Sequence, residues 1–369
     1  MRQLLIFVCF SSLLQAQVFD TIDHRKRLHY LSDNKLQTAQ DTFINNLMTS
    51  YMQSPHNCAI SIAFRKNEQN HFYNYGETAR YSHTATTINS VYELGSMSST
   101  FTGLLLTKAL TETKITLEDD IRSYLPGKYP NLIFYGKVIR IKHLINHCAA
   151  LPLFPTNMKT QADYDSLNPY KNYSKEMMLA YLKSIQLTSE PGASYHYSAM
   201  GLALLGMILE NVYKLSFDQL VEQKILKPLN LSGTGIHLTE IQMALLTKAY
   251  NKNGNTTPHW ELSLFAAAAG LNSSSQDMLT YLNYNLQESD TACRLAHQIS
   301  QVNGEKMAYG WLVRKTKQGN TMYWHSAATF GYTSFSAFMK EKNCSLVVLA
   351  NSATNVEYIA ITLLNYLQK

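Results

Sequence analysis

Segments typical of β-strands lie near both ends of the chain, and segments typical of helices fill the middle. Two strand-like runs, CAISIAFRK and HFYNYGE, occupy 58–77. Four more occupy 307–351, namely MAYGWLVRKT, TMYWHSA, GYTSFSAFMK and SLVVLAN. A strand satisfies its backbone hydrogen bonds by pairing with another strand. The arrangement therefore predicts an α/β (α+β) fold with one antiparallel sheet of about five strands, built from both chain ends, and an inserted helical subdomain.

Apolar residues at helical spacing predict the elements that flank this sheet. Residues 35–53 and the closing run VEYIAITLLNYLQ both show that spacing, and we expect the two helices to share one face of the sheet. Residues 96–110 are apolar nearly all round, which is typical of a helix buried in the core. The predicted sheet subdomain covers about 35–110 and 300–369, and the predicted helical subdomain covers about 111–299.

Composition and charge narrow the class of protein. The 369 residues are 46% hydrophobic and 16% charged, with a net charge of +6. That is the composition of a globular chain rather than a disordered one. No block of Lys and Arg and no basic amphipathic helix is present, so we do not expect a nucleic-acid partner.

The first residues, MRQLLIFVCFSSLLQAQ, predict export. A positive start, an apolar run and the small residue Ala16 form the pattern of a signal peptide at 1–16, which leaves a domain at 17–369. The alternative is an uncleaved N-terminal anchor. No later apolar run reaches membrane length, so we expect a periplasmic or secreted protein with no membrane span in the mature chain.

Four cysteines remain after that segment, Cys58, Cys148, Cys293 and Cys344. Their spacing fits no metal site, since no CxxC or HExxH motif is present, and nothing in the sequence indicates a metal or another cofactor. Cys58 and Cys344 each open a strand-like run. Antiparallel pairing of those strands would put the two sulfurs at opposite ends, so we expect mostly free, buried thiols.

Ser96 lies in the stretch YELGSMSSTFTGLLL, where a turn enters the buried helix. A hydroxyl at a helix start lies beside free N–H groups that can stabilise an oxyanion. Serine is a weak nucleophile unless a base activates it, and a lysine three residues later would share its helix face. Here that position is Ser99. Taken alone, GSMSST is more typical of an ordinary N-cap cluster than of a nucleophile.

The wider sequence resembles the serine β-lactamase and penicillin-binding-protein-like family, in particular class C β-lactamases and related D-Ala-D-Ala peptidases and esterases. Matching segments occur in family order over roughly 35–360: VYELGSMSSTFTGLLL, ITLEDDIRSYLP, IRIKHLINHCAALP, PGASYHYSAMGLALLGMILE, AAAAGLNSSSQDMLTYL, YWHSAATFGYTSF and SLVVLAN. Seven such segments in order are specific evidence. The resemblance implies a β-lactamase/transpeptidase-like fold.

The resemblance also implies roles for individual residues. Ser96 matches the acylated nucleophile, and Tyr197 matches the tyrosine that takes and returns the proton. His325 and Ser326 match the first two residues of the Lys/His-Thr/Ser-Gly motif. The backbone N–H groups of Ser96 and Ala328 would form the oxyanion hole. The alternatives for single residues stay open: His325 as base or as a wall of the cleft, and Tyr197 as core packing. We interpret His147 as a structural residue, since a single histidine in a helical segment is usually part of the core.

Four family positions are substituted. The motif lysine is Ser99, the asparagine of Tyr-x-Asn is Ala199, and the glycines of two motifs are Ala327 and Ala150. Ser99 and Ala199, with Ser326 and Ala328, are the expected substrate-binding positions. Loss of the lysine removes the cation that would keep Tyr197 or Ser96 partly deprotonated.

Three interpretations follow. The first is a catalytically impaired relative kept as a binding protein, with a peptidoglycan-like, peptide or ester ligand. The second is an active serine hydrolase, an esterase, peptidase or β-lactamase, that uses Ser96 with Tyr197 and His325. The third is a fold reused for interaction alone, with no ligand in the cleft.

Overall fold

The computed structural model describes residues 29–369, so the predicted signal peptide lies outside the described residues. Within 29–369 the chain forms twelve strands. They are β1 (Ala59–Lys66), β2 (Gln69–Gly76), β3 (Val91–Glu93), β4 (Ile133–Phe134), β5 (Lys137–Val138), β6 (Asn272–Ser274), β7 (Ser300–Val302), β8 (Glu305–Ala308), β9 (Trp311–Lys315), β10 (Thr321–Ala328), β11 (Thr333–Met339) and β12 (Cys344–Ala350).

Twelve α-helices accompany the strands in the same described range. They are α1 (Ala39–Met52), α2 (Ser98–Thr111), α3 (Ile141–Ile145), α4 (Lys175–Ser184), α5 (Ala199–Tyr213), α6 (Phe217–Val221), α7 (Lys227–Leu229), α8 (Glu240–Leu245), α9 (Ala266–Ala269), α10 (Ser275–Gln287), α11 (Thr291–Ala296) and α12 (Glu357–Leu367).

One antiparallel sheet joins the two ends of the chain, as predicted. Its order is β2-β1-β12-β11-β10-β9-β8-β7. The first and last parts of the sequence meet at β1 and β12, where Ile60 lies opposite Ala350 and Arg65 opposite Ser345. The sheet has eight strands rather than about five. The difference arises because β7 is a short additional strand at one edge, and because one predicted strand is two strands, β8 and β9.

That predicted strand, MAYGWLVRKT, folds as a hairpin. Met307 pairs with Leu312 and Ala308 with Trp311, which leaves Tyr309 and Gly310 as a two-residue turn. Gly310 has φ +82°, a conformation that favours glycine. The sequence does not indicate this turn, because the apolar residues on both sides of it have the pattern of one continuous strand.

The central strands are apolar along most of their length because helices cover both faces of the sheet. Successive side chains of a strand point to opposite faces. Leu346 and Val348 of β12 pack in one core with α1 and α12, while Val347 and Leu349 pack in the other core, with α2 and α10. The terminal helices therefore share one face of the sheet, as expected.

Cysteine placement follows the predicted register. Cys58 precedes β1 and Cys344 opens β12, at opposite ends of the antiparallel pair. Cys148, Cys293 and Cys344 are buried free thiols. Cys58 is also buried, and its thiol donates to the Glu77 carbonyl at 3.3 Å.

No single helix of residues 29–369 is both long and apolar enough to cross a membrane. One pair of helices, Ala199–Tyr213 with Phe217–Leu229, meets the length and composition criteria only when taken together, and it is bent by 75°.

Packing of α12 on the sheet gives the first prediction. Leu363 is fully buried between α12 and the sheet, whereas Tyr358 on the same helix is 77% exposed. Leu363→Ala should lower the free energy of unfolding by about 2–5 kcal/mol, through lost burial and a residual cavity. Tyr358→Ala should change it by less than about 0.5 kcal/mol. Urea denaturation measures both, and equal losses in the two variants would contradict this packing.

Candidate active site

The serine turn lies between a short strand and the central helix. β3 ends at Glu93, and a 3₁₀ turn, Gly95–Met97, leads into α2. Gly95 has φ +55°, which a side chain would strain. A Cβ on Gly95 would also lie 3.1 Å from the Ala327 methyl group. The turn therefore sits directly against β10, and it holds Ser96 half-exposed between them.

Hydrogen bonds from three parts of the chain fix this turn. The Ser98 hydroxyl donates to the Gly95 carbonyl at 2.7 Å and accepts from the Leu271 N–H at 3.0 Å. The Ser334 hydroxyl of β11 donates to the Leu94 carbonyl at 3.0 Å. Ser98 and Ser334 therefore stabilise the turn through these hydrogen bonds, and the turn is preorganised without a ligand.

The strand beside Ser96 has an uncovered edge. β10 pairs with β11 over 323–328, but with β9 only as far as Trp324. The Thr329 N–H donates to the Tyr332 carbonyl, and ladder bonds alternate along an antiparallel pair. The N–H of Ala328 therefore points away from β11, toward the open edge. This is the position that the oxyanion-hole prediction requires.

Tyr197 reaches the site from the residue pair before α5. Ser198 caps this helix, since its hydroxyl accepts from the Gly201 N–H at 2.9 Å and donates to the Pro152 carbonyl at 2.7 Å. The Tyr197 hydroxyl is buried and makes no hydrogen bond of normal geometry within 29–369. Burial raises its pKa, and the nearby Ser96 hydroxyl offsets that only in part. Tyr197 is thus a neutral phenol at pH 7.

His325 is a buried, neutral imidazole on β10. Its Nδ1 lies 2.9 Å from the Ser326 carbonyl oxygen. A carbonyl only accepts, so Nδ1 carries the proton and Nε2 carries the lone pair. Burial lowers the pKa of His325 to about 4. The residue can accept a proton at neutral pH, but as a weak base.

His147, which sequence analysis treats as structural, lies in the same site. Its ring is 4.4 Å from the Tyr197 ring, centroid to centroid, and 5.8 Å from that of Tyr195. The Ser198 N–H donates to its Nδ1 at 3.3 Å, so Nε2 carries the proton. Burial and the neighbouring His325 lower the pKa of His147 to about 3. A signal was present in the sequence, because His147 lies within one of the family-like segments.

Two of the expected substrate-binding residues lie outside the cleft. Ser99 is fully buried, and its hydroxyl donates to the Gly310 carbonyl at 3.3 Å. Ala199, the first residue of α5, is 6% exposed. Neither lines a cavity that includes Ser96. Among the other substituted positions, Ala150 has φ +57°, where the glycine of the family would fit without strain.

The structure does bring together Ser96, Tyr197, His325 and Ser326. With His147, they line a cavity of about 270 Å³ whose other walls are apolar or aromatic, and no charged side chain among residues 29–369 lines it. Ser96 also borders a larger groove of about 640 Å³, which runs past Ala327 and Ala328 and carries Lys252 and Glu357. The predicted nucleophile therefore stands where an uncharged cavity opens into a polar groove.

This fold and serine turn belong to one family. Residues 44–366 match the family model described as "Beta-lactamase", and the chain is a member of that family, within the β-lactamase-like serine hydrolase superfamily. The β-lactamase/transpeptidase-like fold expected from the sequence is confirmed.

Two curated relatives show how far the similarity extends. "Protein flp" of Staphylococcus aureus (strain N315) is 26% identical over 330 residues, which are 86% of this chain and 64% of the relative. A protein named "Beta-lactamase" from Providencia stuartii is 26% identical over 251 residues, 68% of this chain and 61% of the relative. The chain thus spans less than two thirds of the length of either.

Two solved structures share the fold. The octameric penicillin-binding protein homologue from Pyrococcus abyssi superposes with a TM-score of 0.74 at 22% identity, covering 89% of this chain and 76% of that one. A β-lactamase/D-alanine carboxypeptidase from Pseudomonas syringae gives 0.73 at 23% identity, covering 86% and 95%.

The buried histidines predict how stability depends on pH. The pKa values of His147 and His325 lie below the ordinary value of 6.5, at about 3 and about 4. Below pH 6.5 these histidines bind protons in the unfolded chain but not in the folded chain. The free energy of unfolding should therefore fall as the pH drops from 7 toward 4. Each histidine should contribute at most about 2–3 kcal/mol of that loss by pH 4.5, since one pKa unit is about 1.4 kcal/mol.

Substitution of His325 tests how much this imidazole contributes to the pH dependence of stability. His325→Asn should reduce the pH slope between 6.5 and 4.5, measured by urea denaturation at each pH. The slope should not vanish, because burial also lowers the pKa values of His143 and His297 to about 4. His237→Asn, at an exposed position, should leave it unchanged. An unaltered slope in His325→Asn would show that the imidazole is not buried in its neutral form.

Proposed function

We propose that this is an exported β-lactamase-related protein that binds a small peptide or ester ligand beside Ser96 and acylates that serine slowly at best. The observation that carries the proposal is the absence, within 29–369, of a strong base at Ser96. No Lys or Arg side chain in that range hydrogen-bonds to it. The residue at the motif lysine position, Ser99, instead donates to the Gly310 carbonyl.

The remaining groups support binding better than rapid chemistry. Burial raises the pKa of the Tyr197 phenol and lowers that of His325 to about 4, so both are neutral at pH 7. A neutral phenol is a poor acceptor for a serine proton. The Ala328 N–H and the Ser96 turn still offer oxyanion contacts, which use the backbone and tolerate side-chain substitution. Ligand carbonyls can therefore bind where they are not efficiently attacked.

One observation favours a second candidate, an active serine hydrolase with a rewired base. The tautomer of His325 leaves its Nε2 lone pair unprotonated, and His325 shares the cavity with Ser96. A base of low pKa deprotonates serine weakly, but an unprotonated imidazole nitrogen in the same cavity supplies the lone pair that a general base needs. The burst experiment below separates the two candidates.

Introducing a lysine amine at position 99 tests the principal proposal, because it should restore acylation of Ser96. With an activated ester such as p-nitrophenyl acetate, wild type should show little burst, and Ser99→Lys should restore part of it. A positioned base typically contributes about 10²–10⁴-fold. Ser99→Lys/Ala199→Asn should exceed the single variant by more than the sum of separate effects, since both residues would act as one unit. Stopped-flow absorbance gives the burst, and intact mass gives the acyl adduct.

Controls exclude reaction elsewhere. Ser96→Ala should abolish burst and adduct in every background. Thr111→Lys adds a lysine at an exposed position of α2 and should rescue nothing. A melting curve confirms folding, because position 99 is fully buried. A rapid wild-type burst that Ser96→Ala removes would overturn the impairment and establish the hydrolase.

Export is the second part of the proposal, and it rests on the N-terminal apolar segment. If residues 1–16 are a cleaved signal peptide, the exported form should begin at Gln17. Expression of the full sequence in a host with a secretion pathway, followed by intact-mass measurement of the exported fraction, tests this. A mass that retains all 369 residues in a membrane fraction would support the anchor instead.

A further inference from the structure

The cavity beside Ser96 contains a second imidazole that acylation does not require. His147 and His325 come from different parts of the chain, the segment after α3 and strand β10, and both line the cavity. They lie close enough for His325 to lower the pKa of His147. Within 29–369 no carboxylate lines the cavity beside the two rings, so none competes there with a ligand for their ring nitrogens.

Backbone hydrogen bonds set the two rings to opposite tautomers. The Ser198 N–H occupies Nδ1 of His147 as a donor, so Nε2 of His147 is an N–H donor. The Ser326 carbonyl occupies Nδ1 of His325 as an acceptor, so Nε2 of His325 is an acceptor. The cavity therefore presents one donor and one acceptor of fixed polarity.

These two Nε2 atoms are available to a ligand in the cavity. Within 29–369 neither has a hydrogen-bond partner, and neither is fully covered, although the two side chains are only 7% and 6% exposed. By contrast, the Tyr197 hydroxyl and the Trp311 indole N–H are fully covered, although both residues contribute to the walls. The polar atoms left to recognise a head group include the two imidazole Nε2 atoms and the hydroxyls of Ser96 and Ser326, and of these only the imidazoles are held by the backbone to one fixed donor and one fixed acceptor.

The rest of the cavity selects for an uncharged ligand with an apolar body. Ile145, Met307, Trp311 and Leu312 form much of the wall, and no Lys, Arg, Asp or Glu of the described part of the chain lines it. Both imidazoles resist protonation, since their pKa values are lowered to about 3 and about 4. A carboxylate placed here would lose its hydration, face the lone pair of His325 and find no cation.

We propose that His147 and His325 form a complementary donor–acceptor pair that recognises a neutral carboxamide head group on a small apolar body, in preference to the corresponding carboxylate. The amide carbonyl accepts from His147 Nε2–H, and the amide N–H donates to His325 Nε2. His147 is thereby a specificity-determining residue. This inference rests on the proposed binding function of the same site, and it names the chemical class of the ligand.

Three ligands with the same benzoyl body test the pairing in Ser96→Ala protein, where no acylation competes. Benzamide has both the acceptor and the donor, methyl benzoate has only the acceptor, and benzoate is an anion at pH 7.5. Ligand-observed NMR titration should give the affinity order benzamide, methyl benzoate, benzoate, with at least about a tenfold difference between the first and the last. Benzoate binding as tightly as benzamide, or no binding of benzamide, would overturn the proposal.

Variants assign the preference to the two rings. His147→Leu should weaken benzamide binding about tenfold, whereas His147→Gln, which keeps an N–H donor, should retain most of it. His325→Lys should invert the order in favour of benzoate by supplying a cation. His196→Asn, an exposed neighbour outside the cavity, should change nothing. Equal affinities in His147→Leu and His147→Gln, with melting temperatures near that of the parent, would remove His147 from recognition.

Two further points keep the outcomes distinct. If His147→Leu does not fold, the order of the three ligands in Ser96→Ala protein decides alone. If wild type acylates rapidly in the burst experiment, the impairment proposal fails while the amide preference stands, because binding is measured without Ser96. Conversely, a preference for benzoate overturns the histidine pair and leaves the impairment proposal untouched.

Discussion

The site depends on one close approach between main chains, where the Tyr309–Gly310 turn packs on the first turns of α2. A Cβ on Gly310 would lie 2.3 Å from the Ser99 carbonyl oxygen, and a Cβ on Gly103 would lie 2.1 Å from the Tyr309 carbonyl oxygen. Both positions therefore need glycine. This contact holds α2, which follows the Ser96 turn, against the C-terminal part of the sheet, which carries His325. The cavity is the space left between them.

The same contact accommodates the serine at position 99. Ser99 faces the turn and hydrogen-bonds to its carbonyl, so its small side chain leaves no unsatisfied polar group behind. Burial then governs the rest of the electrostatics. Tyr197, His147 and His325 all remain neutral because desolvation penalises their charged forms. The cavity beside Ser96 is therefore neutral within 29–369, with two polar imidazole edges.

Much of this could be read from local patterns. The apolar runs at β1, β11 and β12, the all-round apolar helix α2 and the terminal helices lie where their periodicities predict them, because each is long and strongly patterned. The hairpin at β8 and β9 was missed, since a Tyr-Gly turn inside an apolar run resembles an uninterrupted strand. The additional edge strand, β7, could not be predicted for a related reason: it spans three residues, which is too short for a periodic pattern to be recognised.

By itself, the sequence determined the residue types at the family positions: a serine at 96 without an amine at 99, a tyrosine at 197 and a histidine at 325. It also determined which segments are apolar enough to form the sheet and the central helix. Only the tertiary structure decided that Ser99 and Ala199 lie behind the cleft, that His147 lies in it, and which nitrogen of each imidazole faces the cavity. Those properties depend on partners distant in sequence, such as the Gly310 carbonyl and the Ser198 N–H, and on desolvation, which arises only once the chain has packed.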